Sequence, residues 1–240
     1  MTENELANIL FLDIETASGS PDYDSLDTRL KPHWDRKASF LKNPDDLNSN
    51  ELYFDRAGIF AEFGKILTIA VGYLTPLSHG TWGLRVKAFA SDREIQILEE
   101  FKTLLETKFD QDHLRLCAHN GKEFDFPYIC RRMLIQGIAL PQVLQVGERK
   151  PWETPFIDTM DLWKFGDRKN FTSLDLLASL FHIDTSKDDI DGSMVNQVYY
   201  REQGLERIAE YCKKDIVVTA QLFLKLKSLP PLEEKNITLL

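Results

Sequence analysis

The sequence predicts a mixed α/β fold in which one β-sheet is flanked by α-helices. Three short runs rich in branched apolar residues lie early in the chain, at residues 9–14, 65–74 and 84–89, and each predicts a strand. Helix-like and strand-like segments alternate after them, which is typical of a sheet covered by helices. Because no internal repeat and no Gly/Ser-rich linker interrupts the 240 residues, we expect a single domain over residues 1–240.

The later segments show the periodicity of helices and short strands. Ser91 is expected to cap a helix that ends near Lys108, because Glu94 follows it three residues later as in a capping box. Further helices are predicted at 124–136, 172–181, 194–201 and 205–226, and short strands at 114–118 and 156–158. The tail after Pro230 combines adjacent prolines with mixed charge and is expected to be loose.

Residues 17–60 differ from the rest of the chain, because they contain three prolines and many Asp and Asn residues. We interpret this stretch as an insertion with short helices rather than as a separate domain. Its aromatic residues predict that it packs on the body of the protein: Trp34, Phe40, Tyr53, Phe54 and Phe60. The sequence leaves open whether it serves as a lid over a site or as a packing element.

Composition and charge exclude several classes of protein. Hydrophobic residues make up 43% of the chain, and no apolar run is long enough to span a bilayer, so we expect no membrane partner. The formal net charge of −9 argues against a protein that simply coats nucleic acid, since phosphate binding usually needs a basic face. Three widely spaced cysteines, with no secretory signal at the start, predict reduced thiols in a cytoplasmic protein.

Two acids two residues apart close the first predicted strand. Side chains alternate along a strand, so Asp13 and Glu15 point to one face while Ile14 points to the other. Adjacent carboxylates repel, and a divalent cation is the usual reason to keep such a pair together. Hard oxygen ligands suit Mg²⁺ or Mn²⁺. Taken alone, the pair is better explained by a strand that runs out into solvent, since such triplets are common by chance.

Two later segments add acids at defined positions on helices. Asp125 follows a Gly-containing turn and opens a helix, where an acid is also favoured by the helix dipole. Tyr211 and Asp215 are four residues apart, so they share one face of the long helix. Each has a structural alternative: an ordinary first-turn acid for Asp125, and a core tyrosine beside a lysine-bonded Asp for the pair.

Taken together, these segments carry a family resemblance. DIET at the first strand, HNGKEFD at a strand-to-helix turn and YCKKD in a late helix resemble, in this order, the signature segments of the DEDD exonucleases. The tyrosine resembles the branch that includes RNase D and the proofreading domains of DNA polymerases. The stretch GKILTIAVGY is similar to stand-alone relatives of the B-family proofreading domain. The resemblance implies an RNase H-like fold and 3′→5′ exonuclease activity.

The resemblance also implies a two-metal-ion mechanism with Mg²⁺ or Mn²⁺ as cofactors. It implies that Asp13 bridges both ions, that Glu15 and Asp215 complete the first site, and that Asp125 serves the second. Tyr211 is expected to orient the attacking water, since a phenol with a pKa of about 10 is a poor base at neutral pH. The implied partner is nucleic acid, with single-stranded 3′ ends favoured; DNA and RNA both stay open, as do protein partners.

Weaker expectations concern the rim of the site. Thr16, Asn120 and Phe124 are candidate substrate contacts, although Asn120 is equally a turn residue and a core position is favoured for Phe124. His119 is expected to be structural, and Asp158 and Asp161 are expected to cap a turn. The segment WKFGDRKN forms the best local basic patch, a candidate for steering a phosphate backbone, although a solvated charged face is slightly favoured. Its cations are Lys164, Arg168 and Lys169.

Two other classes compete with the enzyme. A degenerate nuclease fold could bind nucleic acid or protein without cutting. However, without a metal ion, a chain with a net charge of −9 has little electrostatic attraction for nucleic acid. An unrelated α/β domain predicts that the four acids lie too far apart to share metal ions.

Overall fold

A mixed β-sheet forms the centre of the molecule. The computed structural model describes residues 1–43, 45–77, 80–167, 171–184 and 190–240. Within these residues, six strands assemble in the order β5-β4-β1-β2-β3-β6. β1 and β2, and β2 and β3, run antiparallel, and the other neighbours are parallel. The strands are β1 Ile9–Ser18, β2 Gly64–Pro76, β3 Trp82–Ala90, β4 Arg115–Ala118, β5 Phe156–Asp158 and β6 Ile237–Leu239.

Helices cover both faces of this sheet, as the alternating sequence pattern predicts. One core contains alternate β1 side chains with those of α4 and α5, and a second contains the remaining β1 side chains with those of α9. Among the described residues, no helix has the length and apolar character needed to cross a membrane. The helices are α1 Glu3–Ala7, α2 Lys31–Ala38, α3 Ser49–Arg56, α4 Glu94–Lys108, α5 Asp125–Ile135, α6 Thr159–Lys164, α7 Leu174–Phe181, α8 Val195–Glu202 and α9 Leu205–Leu226.

The predicted capping box at the start of α4 is wrong. Arg93 precedes the helix and makes no side-chain cap, while the Ser91 hydroxyl accepts a hydrogen bond from the Arg93 amide at 3.1 Å. Glu94 turns inward instead, where its carboxylate accepts from the Ile66 amide at 2.8 Å. The same carboxylate pairs with the Arg132 guanidinium at 2.6 Å. The buried guanidinium of Arg132 is a stronger partner for Glu94 than the backbone amides at the helix terminus would be.

The chain end after Pro230 is also different from the loose tail that was predicted. Leu232 is buried, and its backbone amide donates to the Gln221 side chain at 3.1 Å. Strand β6 then pairs in parallel with β3, with Ile237 opposite Leu84. Without this pairing, β3 would present an open sheet edge, which proteins usually cover.

The connection between β1 and β2 spans residues 19–63, because β1 extends to Ser18 and β2 begins at Gly64. It contains the short helices α2 and α3 and a 3₁₀ turn at Ala57–Ile59. We refer to residues 19–63 as the insertion. Trp34 and Tyr53 are fully buried within it, as expected for aromatic residues that pack. Phe40 departs from that expectation, since it is 79% exposed.

We predict that Arg132→Met destabilises the protein by about 3 kcal/mol or more, because it leaves the buried Glu94 carboxylate without its counter-charge. The single variant should show a matching fall in the free energy of unfolding in urea at pH 7. Adding Glu94→Gln should recover part of the loss, since a neutral amide oxygen can still accept from Ile66. A loss below about 1 kcal/mol in the single variant would contradict this role for the pair.

Candidate active site

The end of β1 presents two acids on the α9 side of the sheet. Ile14 packs into the core formed with α4 and α5, so its neighbours Asp13 and Glu15 point the opposite way. Glu15 is only 8% exposed, whereas Asp13 is partly accessible. Potential ligand atoms of Asp13, Glu15 and Cys212 lie within 4.8 Å of one another. The alternation of side chains therefore places the two acids as the sequence predicted.

Asp125 reaches the same region from the first turn of α5. β1 pairs with β4 only as far as Phe11, so the following part of β1 has an open edge on that side. The Asp125 carboxylate fills this gap, because its Oδ1 accepts from the Ile14 amide at 3.1 Å. Asp125 is 3% exposed. A backbone donor of the strand that carries Asp13 thus fixes the orientation of this third acid.

Asp158 holds the turn that precedes Asp125. Its carboxylate accepts from the backbone amides of Asn120 and Lys122 at 2.9 and 3.1 Å, and from Met160 at 2.9 Å. Asn120 has a φ of 61°, and its side-chain oxygen is buried. The expected turn-capping role of Asp158 is confirmed. Asn120 serves the turn through its backbone, so its predicted contact with substrate stays a prediction.

The long helix α9 supplies the fourth acid and the tyrosine. Tyr211 and Asp215 are each 8% exposed, and their side chains are hydrogen-bonded to each other. The structural alternative for Asp215 was a bond to a neighbouring lysine. Of the two adjacent lysines, Lys213 pairs with Glu210 at 2.6 Å and donates to the Leu240 carbonyl at 3.2 Å. One face of α9 therefore brings Tyr211 and Asp215 to the acids of β1.

The sequence reasoning missed Cys212 as a member of this site. Its thiol is fully buried and lies 3.1 Å from Oδ2 of Asp13 and 3.4 Å from the Asp13 carbonyl oxygen. The spacing could have revealed it, because Cys212 precedes Asp215 by three residues and so shares its helix face.

Burial and mutual repulsion raise the pKa values of these acids. The pKa values of Asp13 and Glu15 are held well above their ordinary range, first by burial and then by the charges of Asp215 and Asp125. Burial raises the pKa of Asp125 to about 7, although the Ile14 amide opposes this shift. Burial, together with the charge of Asp215, also raises the pKa of Tyr211. The tyrosine is therefore a proton donor near neutral pH and not a base.

The donor set suits hard divalent cations. Four carboxylates interact electrostatically at one end of β1, where burial and then the like charges of neighbouring acids raise the pKa values of Asp13, Glu15 and Asp125. A bound Mg²⁺ or Mn²⁺ would reverse this effect, because its charge favours the ionised carboxylates. These acids fit such ions by their chemistry: Asp13, Glu15, Asp125 and Asp215.

A cleft of about 420 Å³ opens beside Glu15. Residues from β1, from the insertion, from the residue before α5, and from α8 and the segment before it line the cleft. Of the three weaker candidates, Thr16 and Phe124 lie in its wall, and Asn120 is not among the residues that line it. The Thr16 hydroxyl donates to the Gly58 carbonyl at 2.8 Å.

The remaining polar candidates have structural roles. His119 uses both ring nitrogens, one with the Thr159 hydroxyl and one with the Thr172 carbonyl, each at 2.9 Å. Burial lowers the pKa of His119, so the neutral ring is favoured. Lys164 pairs with Asp161 at 3.7 Å. The other two cations of the predicted basic patch, Arg168 and Lys169, lie outside the described residues.

A family model that describes a predicted 3′–5′ exonuclease related to the exonuclease domain of PolB matches residues 61–234. The chain belongs to this family. The matched region contains Asp125, Tyr211 and Asp215, whereas Asp13 and Glu15 lie before it. A search of curated proteins finds no match.

The fold of this exonuclease-family chain is also found in a solved structure. The family B DNA polymerase from the hyperthermophilic archaeon Pyrobaculum calidifontis superimposes with a TM-score of 0.56 at 16% sequence identity. The alignment covers 91% of this chain and 24% of the polymerase. At this identity the match shows only the fold, which is a mixed sheet flanked by helices like that of the matching region of the polymerase. The chain spans about a quarter of the length of that enzyme.

We predict that the metal-free exonuclease loses stability as pH rises from about 4 toward neutrality. The folded state binds protons more tightly than the unfolded chain, because the pKa values of Asp13 and Glu15 are raised in the folded state and that of Asp125 reaches about 7. Asp13→Asn should therefore stabilise the protein in EDTA at pH 8 by about 1–3 kcal/mol, with no gain at pH 4. Thermal melts at the two pH values measure both effects.

Glu148→Gln is the matched control for this experiment, because Glu148 is an exposed acid remote in sequence from the four site acids. It should leave the melting temperature unchanged at both pH values. An Asp13→Asn variant that behaves like this control would mean that the acids do not repel one another in the folded protein.

Proposed function

We propose that this chain is a metal-dependent 3′→5′ exonuclease of single-stranded DNA, formed by one domain over residues 1–240 and working in the cytoplasm. The observation that carries the proposal is the convergence of four repelling acids at the end of β1, in a chain of this exonuclease family. A reducing compartment agrees with its three free thiols: Cys117, Cys130 and Cys212.

Asp13, Glu15, Asp125 and Asp215 would hold two divalent ions, Mg²⁺ or Mn²⁺. Bound cations would supply Lewis acidity and positive charge to a phosphodiester hydrolysis whose transition state carries extra negative charge. The contribution of the protein is the fixed direction of each ligand. The Ile14 amide sets Asp125, and the partly accessible Asp13 stands where substrate can approach.

Tyr211 positions the attacking water. Its hydroxyl proton is retained at neutral pH, because burial and the adjacent charge of Asp215 raise its pKa. A protonated phenol that bonds to a ligand carboxylate can orient a water molecule but cannot remove its proton. This is the positioning role expected from the resemblance.

The cleft beside Glu15 is the proposed site for the terminal nucleotide. Its volume of about 420 Å³ lies at the small end of the range for ligand sites, roughly 300–1,000 Å³. A cleft of this size suits one nucleotide rather than a base pair, which favours unpaired ends. Thr16 and Phe124 are its proposed substrate contacts on β1 and α5, and Asn120 is a further candidate at the adjoining turn.

We predict metal-dependent shortening of single-stranded DNA from its 3′ end. A 5′-labelled oligonucleotide should give a ladder of decreasing length in Mg²⁺ or Mn²⁺, and a 3′-labelled one should release its label at the first cut. EDTA should abolish both results. Asp13→Asn and Asp215→Asn should lower the rate about a thousandfold or more, because each removes a charged ligand.

Asp161→Asn is the matched control, since Asp161 is an exposed acid that pairs with Lys122 and Lys164 outside the site. It should cut at the wild-type rate. RNA of the same sequence runs in parallel, and faster cleavage of RNA would correct the substrate. Absence of cleavage of both polymers with either metal would support a non-catalytic binding module instead.

We predict that Tyr211→Phe lowers kcat by about 10- to 100-fold and leaves KM nearly unchanged, because only the orientation of the water is lost. Steady-state kinetics at several pH values make the measurement. The pH profile should keep its shape, since the tyrosine does not titrate in this range. Tyr73→Phe, at a tyrosine that packs against Phe109, should match the wild type.

A further inference from the structure

One turn of the insertion is bonded directly to the strand that carries the acids. The Gly58 carbonyl accepts from the Thr16 hydroxyl and from the Tyr128 hydroxyl, each at 2.8 Å. Gly58 also lies against the backbone of Ala17, where an added Cβ would come within 3.1 Å. A side chain at this position would crowd the β1 backbone, so glycine suits the close packing of the turn on β1.

A second set of hydrogen bonds joins the insertion to β1 through α8. The Asn196 side chain donates to the Phe54 carbonyl at 2.7 Å. Its oxygen accepts from the Ser18 amide at 2.8 Å and lies 3.0 Å from the Ser18 hydroxyl. One side chain therefore connects the end of β1 to the helix that precedes the Gly58 turn.

The insertion also has a small core of its own. The Trp34 ring contacts Tyr53 edge-on at 5.2 Å between centroids and Phe63 at 5.3 Å, and all three residues are buried. Such packing needs no substrate to form. Together with the hydrogen bonds to β1, this core favours an insertion that is a fixed part of the site over a lid that closes over it.

The cleft beside Glu15 has apolar side chains on two of its contributing elements. Ile59 follows Gly58 in the bonded turn, and half of its surface is exposed to the cleft and to solvent. Phe124 comes from the start of α5, where its ring contacts Tyr128 at 5.4 Å. Apolar surfaces of this kind accept the face of any base without reading its sequence.

We propose that the insertion is a fixed wall of the nucleotide cleft, in which Ile59 contacts the base of the 3′-terminal nucleotide together with Phe124. This inference rests on the proposed exonuclease function and adds a binding role for the insertion. Ile59 binds the base but takes no part in hydrolysis. Its removal should weaken binding of substrate and transition state alike.

The test compares the wild type with Ile59→Ala, Ile59→Leu and Phe40→Ala on two single-stranded DNA oligonucleotides. One oligonucleotide ends in an ordinary 3′ nucleotide and the other in an abasic 3′ residue. On the ordinary end, Ile59→Ala should raise KM about tenfold and leave kcat within about twofold. On the abasic end it should match the wild type. Ile59→Leu should retain wild-type KM, as should Phe40→Ala, an exposed residue of the insertion outside the cleft.

Three results would overturn the inference, and they are distinguishable. Unchanged KM in Ile59→Ala on ordinary ends would mean that Ile59 does not contact the substrate. Equal losses on ordinary and abasic ends would mean that the residue only supports the fold, and thermal melts would show a matching loss of stability. Failure of the wild type to cut either oligonucleotide would instead refute the proposed function on which the inference rests.

Discussion

Four carboxylates are held together at one end of the sheet, although burial and the like charges of their neighbours disfavour ionisation of Asp13, Glu15 and Asp125. Neutral groups hydrogen-bond three of them, in these pairs: the Ile14 amide with Asp125, the Cys212 thiol with Asp13, and the Tyr211 hydroxyl with Asp215. A lysine or arginine in any of these places would neutralise the site and compete with a divalent cation. A neutral donor fixes the direction of a carboxylate and leaves its charge available for a metal ion.

The rest of the fold supports this concentration of charge with apolar packing. β1 is the strand that carries Asp13 and Glu15, and it lies inside the sheet with its preceding side chains buried on both faces. α9 packs across the same sheet, so Asp215 is held by a helix whose other turns are anchored in the core. A cation that binds only the folded state then adds stability by mass action. Metal binding at these four side chains would therefore be coupled to folding.

Local rules predicted much of this arrangement, and long-range contacts account for what they missed. The two-residue spacing of Asp13 and Glu15 and the four-residue spacing of Tyr211 and Asp215 fix their faces through strand and helix periods alone. The role of Glu94 could not be read in this way, because its partner Arg132 is 38 residues away and the local pattern favoured a helix cap. Strand β6 was not predicted for a similar reason, since its three residues form a strand only by pairing with the otherwise open edge of β3.

An acidic protein can act on a polyanion, as proposed, if different parts of the site bind different parts of the substrate. With a net charge of −9, the protein cannot rely on general attraction to phosphate. Bound cations would draw the scissile phosphate to the acids, and the apolar cleft wall formed by Ile59 and Phe124 would hold the base without any charge. Because each contact alone is weak, only an end that satisfies both would be held long enough to be cut. An unpaired end meets this requirement, since its base is free to enter the cleft while its phosphate reaches the metals.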